Sequence, residues 1–309
     1  MFQATHRFRF PKHIGNAPGA YWCRMQATCG GRLATRFTLS ISPVLSTQKG
    51  PVTVMTRRMF STSILAGAAA ALLPAAARSQ NAVKARNVVL VHGAYADGSC
   101  WLEVISYLQA SGIKATAVQN PLSSLADDVA ATKRILALQD GPTVLVGHSW
   151  AGTVISEAGV DPKVSALVYV AARAPDAGED YGALAAKFPK PPASAGLVES
   201  DGYAQLNEEA FVKYFAGDID PVKARALYAV QGRISSTLFA SRTTVAAWKS
   251  KPTFYVISKQ DKTTSPELER FLADRMKAKT IEVDASHVSL ISKPREIADL
   301  ILLAAGNGA

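Results

Sequence analysis

A serine held between small residues is the first candidate for chemistry in this sequence. The segment TVLVGHSWAGTVIS, residues 143–156, contains an apolar run that stops at Gly147 and a second that starts after Gly152. Ser149 lies between them, in the pattern Gly-x-Ser-x-Ala. Small residues let a strand turn sharply into a helix there, so that the hydroxyl projects clear of a sheet. The pattern indicates a nucleophilic serine, and the plainer alternative is a helix N-cap.

A serine hydroxyl needs a base that takes its proton and an acid that orients the base. The chain beyond residue 78 has three histidines. His148 adjoins Ser149 on a strand, where successive side chains point to opposite faces, so we expect it to point away from the serine. His92 ends the first apolar run and is expected to support its loop. His287, in VDASHVSLIS after the last run, is the favoured base.

Two aspartates are candidates for the orienting acid. Asp261 follows the apolar run TFYVIS, and Asp176 follows the run before it. The order Ser149, Asp261, His287 recurs among hydrolases whose serine lies on such a turn. Asp261 is favoured over Asp176 because the acid and the base then flank the final pair of helices. Asp176 stays the rival acid, and Asp261 could instead only cap a turn.

Alternating strand and helix patterns predict the elements that must position these residues. Apolar β-branched runs predict strands at 87–93, 113–121, 143–147, 164–172, 253–258 and 280–284. Helical spacing of apolar residues predicts helices at 99–112, 125–139, 152–159, 265–276 and 294–305. Strands this uniformly apolar are buried on both faces. We therefore expect an α/β fold, with a mostly parallel sheet of about six strands and helices on both faces.

One segment, about 175–248, breaks this alternation. It contains PKPPASAG and helical stretches near 205–216 and 221–230, and no apolar strand is recognisable in it. We interpret it as a helical cap inserted over the carboxyl edge of the sheet, where ligands bind in open α/β folds. Most of its aromatic side chains are expected to form the core of the cap, and a few to line an apolar pocket.

Charge and cysteine content exclude several classes of protein. The net charge is +10, but residues 1–78 carry ten Lys or Arg and no acidic residue, so the remainder is formally neutral. The remainder therefore needs no nucleic-acid partner to explain its charge. Cys23 and Cys29 lie in the basic segment, which leaves Cys100 alone in the remainder as a small buried hydrophobe. No cluster has the spacing of metal ligands, and no cofactor motif is present.

Residues 55–78 have the order of regions found in an export signal. The pair Arg57-Arg58 precedes an apolar stretch, 64–73, and a run of alanines, 75–77. This resembles a twin-arginine signal. The apolar stretch is too short to span a bilayer. We expect an exported protein, periplasmic or secreted, with no stable membrane anchor after cleavage; the alternatives are a chance segment or an uncleaved anchor.

Residues 1–54 do not fit that plan. They are basic, and Met55 stands directly before the signal-like segment. Our hypothesis is that Met55 is the native start and that residues 1–54 are a non-native or unstructured leader. An organellar transit peptide is the rival interpretation, because that class is also rich in arginine and serine and poor in acids.

Five segments carry a resemblance to a known family. They are VLVHGAYADGSCW, VLVGHSWAG, LVYVAARAPDAGE, SKQDKTTSPELERFLADRM and ASHVSLISKP. With them, residues 86–305 resemble an α/β-hydrolase, in the small esterase branch that includes plant methylesterases and hydroxynitrile lyases. One departure is that the usual second glycine pair is Ala151-Gly152 here.

The resemblance implies a serine hydrolase that cleaves a small carboxylic ester through an acyl-enzyme, without a cofactor. Ser149, His287 and Asp261 would be the catalytic residues. The backbone N–H groups of Ala94 and Trp150 would form the oxyanion hole.

Two other functions stay open on the same scaffold. One is a hydroxynitrile-lyase-like C–C lyase, although such lyases carry a lysine directly after the catalytic histidine, where this chain has Val288. The other is a catalytically inactive ligand-binding member of the fold. The intact Ser149, Asp261 and His287 argue against that alternative.

Overall fold

The computed structural model describes residues 84–307 of the chain. The leader and the export signal expected at 1–54 and 55–78 lie outside the described residues. Within 84–307 the strands are β1 (Asn87–Val91), β2 (Lys114–Val118), β3 (Thr143–His148), β4 (Val164–Val170), β5 (Leu197–Ser200), β6 (Tyr203–Leu206), β7 (Ile234–Ser235), β8 (Thr253–Ser258) and β9 (Lys279–Val283).

Helices connect these strands. In chain order they are α1 (Leu102–Ala110), α2 (Leu125–Ala137), α3 (Ala151–Ala158), α4 (Tyr181–Ala185), α5 (Glu208–Ala210), α6 (Pro221–Ala229), α7 (Pro266–Met276), α8 (Ser289–Ser292) and α9 (Pro294–Ala304). A π-helical turn, Phe211–Phe215, continues α5. Short 3-10 helices lie at Gly98–Trp101, Pro192–Gly196, Leu238–Ala240 and Ala247–Lys249.

Six strands form one parallel sheet in the order β2-β1-β3-β4-β8-β9. Every residue of β1, β3 and β8 is buried, whereas the edge strands β2 and β9 are largely exposed or half-buried. The six apolar runs were therefore correctly interpreted, because a central strand of a covered parallel sheet is apolar on both faces. The expected α/β fold is confirmed.

Helices cover both faces of this sheet. Helices α1 and α9 pack against each other, and α2 packs against α3. Right-handed crossovers place α1 on the face opposite α2 and α3, because the chain moves along the sheet in the other direction after β1. Ser265 begins α7 as an N-cap that accepts from the amide of Leu268, with Pro266 in the first turn.

The cap differs from its sequence interpretation. Strands β5, β6 and β7 form a small antiparallel sheet within the segment expected to be helical. Asp201 and Gly202 join β5 to β6, with φ values of 53° and 75°. An Asp-Gly pair at positive φ is a strong hairpin signal. The hairpin was missed because its strands carry mixed polar residues, and all four residues of β5 are exposed.

The two ends of the described chain are held together. The amide of Ala85 donates to the carbonyl of Ala305 at 2.9 Å, and the Asn307 side chain donates to the carbonyl of Ala85 at 3.0 Å. Ala85 and Ala305 are fully buried. These contacts attach the segment before β1 to the end of α9.

Residues 84–307 contain neither a candidate membrane span nor a candidate metal site. No helix in that range has the length and apolarity that a bilayer crossing requires. No three His, Cys, Asp or Glu side chains there are grouped in a way that could hold a metal ion. Cys100 is a buried free thiol, and burial raises its pKa.

Candidate active site

Ser149 stands on a strained turn between β3 and α3. Its φ is 54°, a left-handed conformation that is uncommon for a residue with a side chain. Its amide donates to the carbonyl of Val170, and its own carbonyl accepts from the amides of Gly152 and Arg173, each at 3.0 Å. The backbone is thus bound on both sides to the end of β4, and these bonds hold the strained conformation in place.

Close packing explains the small residues around this serine. A Cβ at Gly152 would lie 1.8 Å from the carbonyl oxygen of Arg173. A Cβ at Gly93, in the turn after β1, would lie 2.7 Å from the Ser149 Cβ. Both neighbours are backbone or directly attached to it, so neither can move aside cheaply. Glycine is required at these two positions for the turns to approach each other.

A continuous chain of hydrogen bonds joins the three residues favoured from the sequence. The Ser149 Oγ lies 2.7 Å from Nε2 of His287, and Nδ1 of His287 lies 2.5 Å from Oδ2 of Asp261. The side chains of His287 and Asp261 are fully buried. The second oxygen of Asp261 accepts from the amides of Thr263 and Thr264, at 2.6 and 2.9 Å. An Asp261 carboxylate surrounded by donors fixes the tautomer in which Nε2 can accept the serine proton.

The rival acid lies elsewhere. Asp176 forms an ion pair of 2.6 Å with Lys249, and this hydrogen bond lowers its pKa. Its other oxygen accepts from the amide of Ala177. The structure therefore brings Asp261, and not Asp176, to the imidazole of His287.

The other two histidines have supporting contacts. Nδ1 of His92 donates to the carbonyl of Gly93, and Nε2 accepts from the amide of Asn120, which binds the loop after β1 to the neighbouring strand end. Nε2 of His148 donates to the carbonyl of His287 at 3.0 Å. Burial and the nearby His287 hold the pKa of His148 well below its usual range. His148 is therefore a neutral support for the backbone of the candidate base.

The two amides expected to form the oxyanion hole are buried beside the serine. Ala94 and Trp150 are each 1% exposed. Among the turn, loop and cap hydrogen bonds of residues 84–307, none uses either amide as donor. The Trp150 indole N–H donates to the buried carboxyl of Asp128 at 2.8 Å. This bond fixes the residue that follows Ser149.

Two charged residues near the site had not been expected from the sequence. Arg173 lies three residues after the end of β4, and Glu269 is fully buried in α7. Oε2 of Glu269 accepts from the amide of Ser258, and its pKa is raised well above the usual range by burial and by the nearby charge of Asp261. A charged residue at the carboxyl end of an apolar strand was a usable signal for Arg173. Nothing in the sequence distinguishes Glu269 from the surface acids of its helix.

A cavity of about 210 Å³ adjoins the serine. The cap contributes several of its walls, so the expectation of an insertion over the carboxyl edge agrees with the cavity's position. Its lining includes Tyr95, Ser149, Arg173, Leu206, Phe239 and Thr263. Phe239 is thus one of the aromatic cap side chains that line a pocket, as was expected for a few of them.

Comparison with known proteins supplies a family. The model of the Alpha/beta hydrolase family matches residues 88–300. Esterase PIR7B of Oryza sativa subsp. japonica is 26% identical over 257 residues, which cover 70% of this chain and 94% of the esterase. Methylesterase 8 of Arabidopsis thaliana is 25% identical over 241 residues, covering 70% of this chain and 88% of the relative.

Solved structures show the same fold. A pyrethroid hydrolase from Sphingobium faniae JZ-2 superimposes with a TM-score of 0.62 at 21% identity, covering 72% of this chain and 98% of that one. Polyneuridine aldehyde esterase gives a TM-score of 0.61 at 19% identity, covering 71% and 98%. The resemblance to a small branch of esterases that includes plant methylesterases is thus confirmed.

Proposed function

The chain belongs to the alpha/beta hydrolase family, and from this premise we propose that it hydrolyses a small carboxylic ester through an acyl-enzyme on Ser149. The observation that carries the proposal is the hydrogen-bond chain from the Ser149 hydroxyl through His287 to Asp261. The named relatives, an esterase and a methylesterase, support ester bonds as the class of bond cleaved.

The reaction begins with attack of the Ser149 oxygen on the ester carbonyl. Nε2 of His287 takes the hydroxyl proton during the attack and later gives it to the departing alcohol. Asp261 holds the imidazole through Nδ1 and stabilises the imidazolium that forms. Water then attacks the acyl-enzyme, with His287 again as base, and releases the acid.

The developing oxyanion is bound by the amides of Trp150 and Ala94. Both are free of partners in the turns and loops described, and the Trp150 amide belongs to the amino end of α3, where the helix dipole favours negative charge. One such donor is worth about 3 kcal/mol to the transition state.

The two alternatives have less support. A hydroxynitrile-lyase-like enzyme would need a cation directly after His287 to hold cyanide. Val288, at that position, is apolar and 1% exposed. An inactive binding protein gives no reason for a buried imidazole placed 2.7 Å from the serine oxygen.

The test is the variant Ser149→Ala. It should abolish hydrolysis of 4-nitrophenyl acetate and labelling by a fluorophosphonate probe, because both need the serine oxygen. Ser106→Ala is the matched control, since Ser106 is exposed on α1 and binds only its own helix. The control should keep both activities. Substantial turnover by a folded Ser149→Ala protein would exclude the mechanism.

We also propose export through the signal-like residues 55–78. The twin-arginine pattern supports this, and the short apolar stretch favours cleavage over anchoring. Replacing Arg57 and Arg58 with lysine in the native host should block export and keep the protein in the cytoplasm. An undiminished amount of mature protein outside it would contradict the proposal.

A further inference from the structure

Arg173 is a cation at the candidate pocket that has no anionic partner. It lines the 210 Å³ cavity that contains Ser149. It takes part in none of the ion pairs found among residues 84–307. Its one side-chain hydrogen bond within that range is a long one, 3.4 Å from Nη1 to the carbonyl of Phe239. Most of the five N–H donors of the guanidinium are therefore unused by the protein.

The three acids that follow Arg173 most closely along the chain are paired with other cations. Asp176 binds Lys249, and Asp180 binds Arg242 at 2.8 Å. Glu179 accepts two hydrogen bonds from the guanidinium of Arg275 and is half-buried. These pairs use the local negative charge at positions away from Arg173. Arg173 is half-buried, and its N–H groups that bind no residue in 84–307 are available to a ligand.

The guanidinium is held in place by aromatic rings. Its Cζ lies 4.2 Å from the ring centroid of Phe239, 4.6 Å from Tyr181 and 5.5 Å from Trp150. Rings packed on a guanidinium stabilise its charge and leave its in-plane N–H groups available. The backbone is also fixed, because the Arg173 amide donates to the Ser149 carbonyl. The donor group is thus pre-positioned relative to the serine.

Two hydroxyl groups without partners adjoin this cation. A second cavity, of about 150 Å³, is lined by Arg173, Tyr181, Thr263 and Thr264. The Tyr181 hydroxyl and Thr263 Oγ1 are buried and have no hydrogen-bond partner among residues 84–307. Tyr181 is 6% exposed. Buried hydroxyls are normally satisfied, so both indicate a ligand with acceptor atoms.

We propose that Arg173 binds a carboxylate of the substrate, so that the ester hydrolysed at Ser149 is one that keeps a free carboxylate elsewhere in the molecule. A planar carboxylate can accept two parallel hydrogen bonds from a guanidinium. The hydroxyls of Tyr181 and Thr263 donate to the same group. Arg173 and Thr263 line both cavities, so a carboxylate held there leaves the ester carbonyl on the side of Ser149. The substrate class rests on the proposed esterase function.

The experiment uses two pairs of esters that differ in charge. In the first pair, 4-nitrophenyl hydrogen glutarate carries the carboxylate in its acyl part and 4-nitrophenyl valerate is neutral. In the second, 4-acetoxybenzoate carries it in the leaving alcohol and 4-methylphenyl acetate is neutral. The wild-type protein should prefer the anionic ester of at least one pair, which also identifies the side of the ester that faces Arg173.

The variant Arg173→Met should lower the anionic-to-neutral ratio of kcat/KM about 30-fold, mainly through KM, because a hydrogen bond to a charged group is lost. Arg242→Met is the matched control, since that arginine forms its ion pair at the surface. It should keep the wild-type ratio. A wild-type protein without anionic preference in both pairs, or an Arg173→Met protein with an unchanged ratio, would overturn the proposal.

A binding measurement separates this proposal from the esterase function. Calorimetry on Ser149→Ala protein compares monomethyl glutarate with methyl valerate and 4-acetoxybenzoate with 4-methylphenyl acetate. It should detect the anionic ester and not the neutral one in at least one pair, and Arg173→Met in the same background should remove the difference. No difference in binding within either pair overturns the carboxylate site, even where the serine is shown to be catalytic. Selective binding sustains the site, even where turnover of neutral esters fails.

Discussion

Replacing Glu269 with glutamine should make the protein more stable at neutral pH, by an amount that grows with pH. The Glu269 side chain is fully buried, and Oε1 has no hydrogen-bond partner. Burial and the nearby Asp261 raise the pKa of Glu269 well above its ordinary value. Glu269 therefore keeps its proton to a higher pH in the folded protein than in the unfolded chain, where it ionises near the ordinary glutamate pKa of about 4.3. Glutamine keeps the shape and can still accept from the amide of Ser258.

The size of the effect follows from one proton. Above the ordinary pKa of glutamate, the folded protein binds one proton more at Glu269 than the unfolded chain does. The free energy of unfolding then falls by about 1.4 kcal/mol for each pH unit until the raised pKa of the folded state is passed. Glutamine binds no proton, so the variant lacks this decline. Its stability advantage over wild type should increase with pH, by up to about 1.4 kcal/mol per unit, between the ordinary pKa of glutamate and the raised pKa of the folded state.

Urea denaturation at pH 5, 6 and 7 measures the difference, provided that two probes give coincident transitions. Glu267→Gln is the matched control on the same helix. The Ser265 hydroxyl lowers the pKa of Glu267, so both states are ionised throughout this range and the control's difference from wild type should stay constant. A constant difference for Glu269→Gln as well would show that Glu269 is ionised in the folded protein and would refute the reasoning.

Two further predictions concern the acid and the turn. Asp261→Asn should lower kcat by about 10⁴-fold, because the imidazole loses its orienting acceptor. Asp176→Asn should change kcat little, and steady-state kinetics with the larger loss in Asp176→Asn would contradict the assignment. Gly152→Ala should destabilise the fold by about 3 kcal/mol or more, since its Cβ meets the Arg173 carbonyl at 1.8 Å. Gly141→Ala, whose Cβ meets only one atom, at 4.0 Å, should lie within about 1 kcal/mol of wild type by thermal denaturation.

The central sheet could be predicted because strands buried on both faces appear in the sequence as continuous apolar runs. The run TVLVG at 143–147 became β3, with all residues buried and one residue added at its end. The run at 253–258 became β8 with the same bounds. Such strands need apolar residues at every position, which few other elements do.

The candidate triad could be predicted because three strand ends meet at one edge. Ser149 follows β3, Asp261 follows β8 and His287 follows β9, so parallel pairing brings all three to the same side of the sheet. The hydrogen-bond chain between them is a property of the fold, and its residues were recognisable by type and order. Their catalytic roles stay predictions until the serine variant is measured.

Other parts of the molecule could not be predicted because they depend on tertiary contacts. Glu269 has the spacing of an ordinary helical acid, and only the packing of α7 against β8 buries it. That Arg173 has no anionic partner within residues 84–307 could not be predicted, because it depends on the ion pairs that the acids after it form with other cations. The hairpin at Asp201-Gly202 had a local signal, but the helical interpretation of the surrounding residues obscured it.

The contact between the two chain ends has a consequence for how the polypeptide could be rewired. Hydrogen bonds join Ala85 to Ala305 and Asn307, residues more than 200 positions apart. A short linker could therefore connect residue 307 to residue 84 with little strain, and new ends could be opened at the exposed tip formed by Asp201 and Gly202. In such a circular permutant the contact between the present ends would become local in sequence, and the pairing of β5 with β6 would join the two ends of the new chain. The position of the chain ends beside α9 is therefore one of several positions at which this fold could begin and end.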